Sequence, residues 1–302
     1  MPTAPRAASS PAIKARLGLL AAALLFSSGG AAIKAVHLTG IQVACFRSGI
    51  AALALFALLP RARRLPRPRD LAVGVAYSGT MICFVLANKL TTAASTIFLQ
   101  ATAPLYLLLL GPWLLAEPVR RRDLGFMAAL AAGLGMFFVG LDQASATAPD
   151  PLRGNLIALL SGLCWALTMV GFRFLGRGGG SAATAAVGGN LLAFVVCLPF
   201  ALPVAASRPA DWAILVYLGV FQIGLAYAFL TTAVERVPAL EASLLLLLEP
   251  VLNPVWAWLV HGERPSPWSL GGGAVILVAT LVKGWIDFRS PAPARLDVLP
   301  ID

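Results

Sequence analysis

APLYLLLLGPWLLAEPVRRRDLG (103–125) and EPVLNPVWAWLVHGERPSPWSLG (249–271) are two copies of one design. Each is a long apolar run carrying a proline, closed by a glutamate and followed by a charged or polar turn. A shift of 146 places Pro104 on Pro250, Glu117 on Glu263 and Gly125 on Gly271. A shift of 139 places Lys34, at the end of an apolar run, on Arg173, at the end of another. GVAYSG (74–79) likewise matches GVFQIG (219–224). The chain therefore contains an internal repeat, divided near its middle.

What is repeated is set by composition. Of the 302 residues, 59% are apolar and 12% charged, about half the charged share of a soluble domain, and the mean hydropathy is +0.84. Too little polar material is present to clothe a soluble fold, which also excludes a disordered chain and a nucleic-acid binder despite the net charge of +10. The apolar stretches are continuous and about twenty residues long, the length of a bilayer-crossing helix. Barrel strands would alternate over about ten residues. The expected class is an all-α integral membrane protein.

Ten spans are expected, at roughly 17–36, 41–60, 70–89, 92–115, 123–141, 154–174, 182–202, 212–234, 238–260 and 268–288. Residues 1–16 and 289–302 read as tails. Residues 17–141 form the first five-helix repeat, 142–153 an extracytoplasmic linker, and 154–288 the second repeat. Lys14 and Arg16 before the first apolar run resemble a signal peptide, but the run is too long for one and nine more spans follow. Because five is odd, the second repeat must start on the opposite side of the membrane. The repeats are thus inverted, an arrangement typical of secondary transporters. With the N-terminus placed in the cytoplasm, seventeen of the 23 Lys and Arg residues lie in inside segments and four in outside ones. This bias places both termini inside and makes the net charge a topology signal and a contact for anionic lipid. The high Ala, Leu, Arg and Pro content suits a GC-rich bacterial genome, hence an inner (cell) membrane.

The repeat, the small-residue first span ending in Lys34, Arg47 in the second span, the prolines of spans four and nine, and the closing AEP (116–118) and GER (262–264) resemble the EamA-like family of the drug/metabolite transporter superfamily. The resemblance covers about residues 15–288. It implies a basket of helices around a central cavity that opens alternately to either side, with spans five and ten peripheral, and export of amino acids or other small metabolites. Within the family it points to aromatic amino-acid exporters of the bacterial YddG type.

Polar groups in a bilayer core are costly, so each one calls for a reason. Glu249 lies near the middle of span nine, and Ala242, Glu249, Asn253 and Trp256 share a face. That face is either a cavity wall, with Glu249 also carrying a coupling proton, or a structural carboxylate bonding freed backbone. Under the 146 shift, Thr96, Gln100 and Ala103 occupy the equivalent face of span four, as cavity lining or as interhelical hydrogen bonding. Pro104, Pro250 and Pro254 are hinge candidates, since each deletes a helical hydrogen bond. Tyr77, Ser78 and Asn88 on span three, Ser161, Trp165 and Thr168 on span six, and Gln222, Tyr227 and Thr231 on span eight complete the candidate lining. Rings beside hydroxyls suit a neutral or zwitterionic solute with an apolar body; ordinary packing is the alternative for each ring alone.

Lys34 and Arg47, towards the outer ends of spans one and two, are expected to snorkel to the headgroups or else to attract a carboxylate. Glu117 and Glu263 read as structural carboxylates near helix N-termini. The four cysteines sit in apolar stretches and the histidines, His37 and His261, have no evident partners, so no metal or cofactor is expected. No phosphate-binding loop is present, so no ATPase subunit is implied, and transport must run downhill, by exchange or on an ion gradient. The expected function is secondary export of small metabolites, neutral amino acids foremost. The alternatives are a membrane-embedded enzyme acting on lipid-linked substrates and an exporter of another metabolite or drug class. The partners are a small-molecule substrate and the bilayer, with monomer or homodimer both open.

Overall fold

The computed structural model describes residues 10–114, 119, 121–177, 179–234, 236–237 and 239–289. Nine of its helices are long and apolar enough to cross a membrane, and Asp123–Val139 is a shorter apolar helix. Their order gives ten spans: Ile13–Ala35, Gly40–Leu58, Pro68–Leu90, Ala93–Leu110, Asp123–Val139, Pro151–Gly176, Ala182–Ala201, Pro209–Ala233, Leu244–His261 and Pro267–Arg289. At 1.5 Å per residue, eighteen or more residues approach the ~30 Å of a hydrocarbon core. Large apolar side chains such as Leu53, Val139 and Phe200 stand exposed on the outside, as befits a protein whose solvent there is lipid.

Contacts between helix ends sort the spans into two sides. On one side, which also holds both ends of the described chain, Arg16 pairs with Glu241, Asp70 accepts from the Ser181 amide, and Lys283 pairs with Asp123. On the other, Lys34 pairs with Glu263, His37 meets Asp211, and Asp142 accepts from Ser266. These are the terminal side and the far side below.

The inverted repeat is visible in matching corners. RPRD (67–70) opens span three on the terminal side, and RPAD (208–211) opens span eight on the far side. In both, proline occupies the first helical turn, where no N–H is needed. In both, the aspartate accepts from the arginine amide at 2.9 Å, closing a cap that also suits the positive end of the helix. The other carboxylate oxygen then reaches a neighbouring span: Asp70 takes the amide of Ser181, before span seven, and Asp211 that of His37, before span two. Spans three and seven touch through Gly74 and Gly189, where an added Cβ would lie 2.7 Å from a carbonyl oxygen. Spans eight and two touch at the equivalent Gly219, against Ile50 and Ala51. Small residues permit such approaches where no hydrophobic effect draws helices together. Spans five and ten pack on each other at Gly133 and Gly272.

Two expectations change at this level. Lys34 does not snorkel: its side chain is 2% exposed and paired with Glu263. The histidines do have partners, His37 in Asp211 and Arg208 and His261 in the Ala31 carbonyl. Folding brings together groups far apart in sequence, which is why the chain alone shows neither pairing. Glu117 lies outside the described residues.

Candidate functional site

Four spans lose regular helix part-way along their length. Span four ends its first half, Ala93–Gln100, before a second, Ala103–Leu114. Span nine divides into Ala239–Leu246 and Leu248–His261. The cause is the same in both. Pro104 and Pro250 cannot donate to the carbonyls of Gln100 and Leu246, four residues back, and each helix breaks there. Pro254 lies inside a continuous helix. Span one steps at Ser28, with Ser27 and Ser28 donating to the carbonyls of Leu24 and Leu25. Span eight widens into a π-helical stretch over Tyr217–Leu225. Irregular backbone at membrane depth is tolerated where it is buried in protein or lines a cavity.

A cavity of about 330 Å³ lies among these breaks. Of the expected residues, Gln100, Trp165, Gln222, Tyr227 and Glu249 line it, with Pro104 and Pro250. The rest of the wall is mostly apolar, including Phe26, Met81, Phe84 and Ile97. Ser161 stands behind Gln100, accepting from its amide at 2.8 Å. Tyr77 stands behind Tyr227, ring centroids 6.1 Å apart. The other candidates lie off the wall. Ser78, Asn88, Thr96 and Thr168 donate to carbonyls three or four residues back in their own helices, and Thr231 does the same. Asn253 is buried against Gly30, and Trp256 donates to Ser27.

Sequence reasoning leaves out Arg47 as a wall residue. Arg47 is 2% exposed and lines the cavity. One terminal nitrogen donates to Gln222 Oε1 at 3.0 Å, and Gln222 is itself anchored on the Phe26 carbonyl. Its Nε and Nη1 have no hydrogen-bond partner among the described residues. The snorkelling expectation is corrected here too. Arg47 is the eighth residue of Gly40–Leu58, about 11 Å along the helix, and faces inward. That depth is a signal readable in the sequence.

The far side is tied shut by buried polar contacts. Lys34 pairs with Glu263 at 3.1 Å and donates to the carbonyls of Thr91 and Thr147. The other oxygen of Glu263 accepts the Ala93 amide at 2.9 Å, capping span four. Asp142 gathers Thr92, Ser95, Ser266 and Ser269. Here the upper halves of spans four and nine, Ala93–Gln100 and Leu248–His261, pack on one another. On the terminal side the lower halves pack elsewhere: Ala103–Leu114 on span six, and Ala239–Leu246 on spans one and ten.

A cavity at the junction of two inverted repeats, bounded by broken helices, is transporter architecture, and the relatives agree. The EamA-like transporter family model matches residues 13–141 and again 152–284. The chain belongs to the EamA-like transporter family. It is 31% identical over 268 residues to an uncharacterized protein of Pseudomonas aeruginosa, PA1977, covering 83% of this chain and 88% of that one. It is 25% identical to the threonine/homoserine exporter RhtA of Escherichia coli, over 72% of this chain and 70% of RhtA. It is also 25% identical to the pseudopaline exporter CntI of Pseudomonas aeruginosa, over 86% and 92%. A solved crystal structure shares the fold, with a TM-score of 0.59 and 21% identity over 90% of this chain and 98% of its own.

Proposed function

We propose that this EamA-like protein is a secondary exporter of small metabolites, neutral amino acids foremost, working by alternating access in a bacterial inner membrane. The observation that carries the reading is the asymmetry around the cavity. Buried polar contacts seal its far side, while the half-helices of spans four and nine part on its terminal side. The lysine and arginine bias supports a cytoplasmic terminal side, and on that reading a solute would enter from the cytoplasm and leave after the far side opens. An apolar, ring-bearing wall with few polar groups suits an amphipathic solute of no net charge. RhtA and CntI, both exporters by name, handle solutes of amino-acid character in the first case and pseudopaline in the second.

Pro104 and Pro250 are the hinges in this reading, since each already separates a packed upper half from a displaced lower one. Glu249 supplies the coupling site: its side chain has no hydrogen bond or ion pair among the described residues and faces the cavity. The test is uptake into proteoliposomes of a panel of labelled amino acids, aromatic members and threonine included, with and without a pH gradient. Gradient-driven movement of some panel members is expected. In Glu249→Gln the gradient dependence disappears while exchange persists; unchanged gradient-driven flux refutes proton coupling at Glu249. Movement of no amino acid refutes the substrate reading and leaves the fold untouched.

A further inference from the structure

The feature that export alone leaves unexplained is the incomplete hydrogen bonding of Arg47. A guanidinium carries five N–H donors in a rigid fork. A purely structural arginine, buried this deep, would spend them on carbonyls and carboxylates, because an unmet buried donor is costly. Here Gln222 takes one nitrogen, and Nε and Nη1 find no partner among the described residues although Arg47 is 98% buried and lines the cavity. Nη2 shares one edge of the fork with Nε and the other with Nη1, and it has an N–H on each; with one of these spent on Gln222, the opposite edge keeps both of its donors for a carboxylate held through two parallel bonds.

The surroundings hold the fork ready. Gln222 is carried on the widened π-helical stretch of span eight and bonds the Phe26 carbonyl beside the step in span one. Gly29 makes room for it: a Cβ at that position would lie 2.8 Å from Gln222 Nε2. Among the described wall residues only Arg47 and Glu249 carry a formal charge. The wall is therefore balanced overall but has one positive pole with an open valence.

We infer that Arg47 is the carboxylate anchor of the transport site, that the solute carries a carboxylate, and that Gln222 and Gly29 act as positioning residues for it. The inference rests on the export reading and narrows it from small metabolites to carboxylated ones. An amino acid satisfies it; so would a hydroxy acid, while an amine or an amino-acid amide would not.

The experiment uses the full-length protein in liposomes with L-threonine, L-threoninamide and L-lactate as probes, alone and as competitors of whichever member of the wider panel moves. Wild-type protein should be competed by the two acids at least about tenfold better than by the amide, the worth of one charge-assisted hydrogen bond. Arg47→Gln should lose about ten- to a hundredfold in apparent affinity for acids and little for the amide, abolishing the preference. Arg47→Lys, which keeps charge but not the fork, should fall between. The wild-type competition needs no variant, so a misfolded Arg47→Gln leaves the test intact. Equal competition by acid and amide overturns the anchor while leaving export standing. Arg47-dependent movement of lactate but of no amino acid refutes the amino-acid reading while leaving the anchor standing. If nothing in the panel moves, thermal unfolding of purified protein decides: stabilisation by the acids over the amide supports the anchor, and none overturns it.

Discussion

Spans four and nine are held on the far side and released on the terminal side by different kinds of contact. On the far side, a buried Lys34–Glu263 pair, a capped helix start at Ala93 and an Asp142 hub fix one geometry. On the terminal side, Ala239–Leu246 rests on span one through an apolar cluster that includes Ala15, Leu19, Val237 and Ala242. The only ion pair described at that contact is the surface pair Arg16–Glu241. Charge pairs in a dry setting are directional and expensive to break on one side only. Apolar faces in lipid have little to lose by sliding, since the tails beside them are equally apolar. In the proposed export cycle, the difference marks the far side as the locked gate and the terminal side as the free one. The repeat underlines it: Arg173, the equivalent of Lys34, is exposed, whereas the Lys34 side chain is 2% exposed.

The comparison breaks most readily at the lock. Glu263→Gln leaves Lys34 buried without its counter-charge, a loss of about 3–5 kcal/mol for a buried pair. The closed far side should become the minor state. A cysteine at Gln100, in a background without the native four, would then be labelled from the far side by a membrane-impermeant maleimide at least about tenfold faster. The double variant Lys34→Met with Glu263→Met should recover much of the closure, because a buried pair can be replaced by apolar side chains at little net cost. If single and double variants label alike, the pair is not the lock. A smaller effect is expected at the Asp142 hub, where Asp142→Asn keeps the shape but weakens the bonds from Thr92, Ser95 and Ser269, at about 1–3 kcal/mol. Partial far-side labelling would register it, and labelling faster than in Glu263→Gln would invert the proposed order.

The proposed hinges come next. Pro250→Ala lets residue 250 donate to the Leu246 carbonyl and makes span nine continuous. The restored bond favours a straight helix by about 1 kcal/mol, so stability should hold or rise while transport slows several-fold. Pro254→Ala, in a helix that is already unbroken, should change transport less. Equal effects at the two prolines would remove the hinge role from Pro250.

Much of this was legible in the chain, and the exceptions have a common physical cause. Span number, repeat and side alternation follow from hydropathy and parity, which are properties of the chain itself. The matching Arg-Pro-x-Asp corners are equally readable at 67–70 and 208–211 but fall in the short turns, where apolar periodicity says nothing. The cavity wall was only partly readable. Thr96 and Thr168 share helix faces with wall residues, yet each spends its hydroxyl on the carbonyl four residues back, a choice that polarity alone does not disclose. Arg47 and Lys34 look alike in sequence, as single cations in apolar runs. What separates them is the partner each finds across the bundle, a carboxylate for Lys34 and one amide for Arg47.

The smallest effect is expected at the terminal side, and it is the control for the whole comparison. Arg16 and Glu241 meet at 2.6 Å, but their side chains are 42% and 34% exposed, and exposed pairs are screened by water and salt. Arg16→Ala should leave thermal stability and far-side labelling at wild-type values, and raising the salt concentration should not alter either. Span nine keeps its apolar seat on span one without the pair, since Leu19, Val237 and Ala242 are untouched by the change. A far-side opening in Arg16→Ala comparable with that in Glu263→Gln would mean that the terminal side is held as tightly as the far side. The gate asymmetry on which the export direction rests would then be gone, even though the fold, the cavity and the Arg47 fork would all remain.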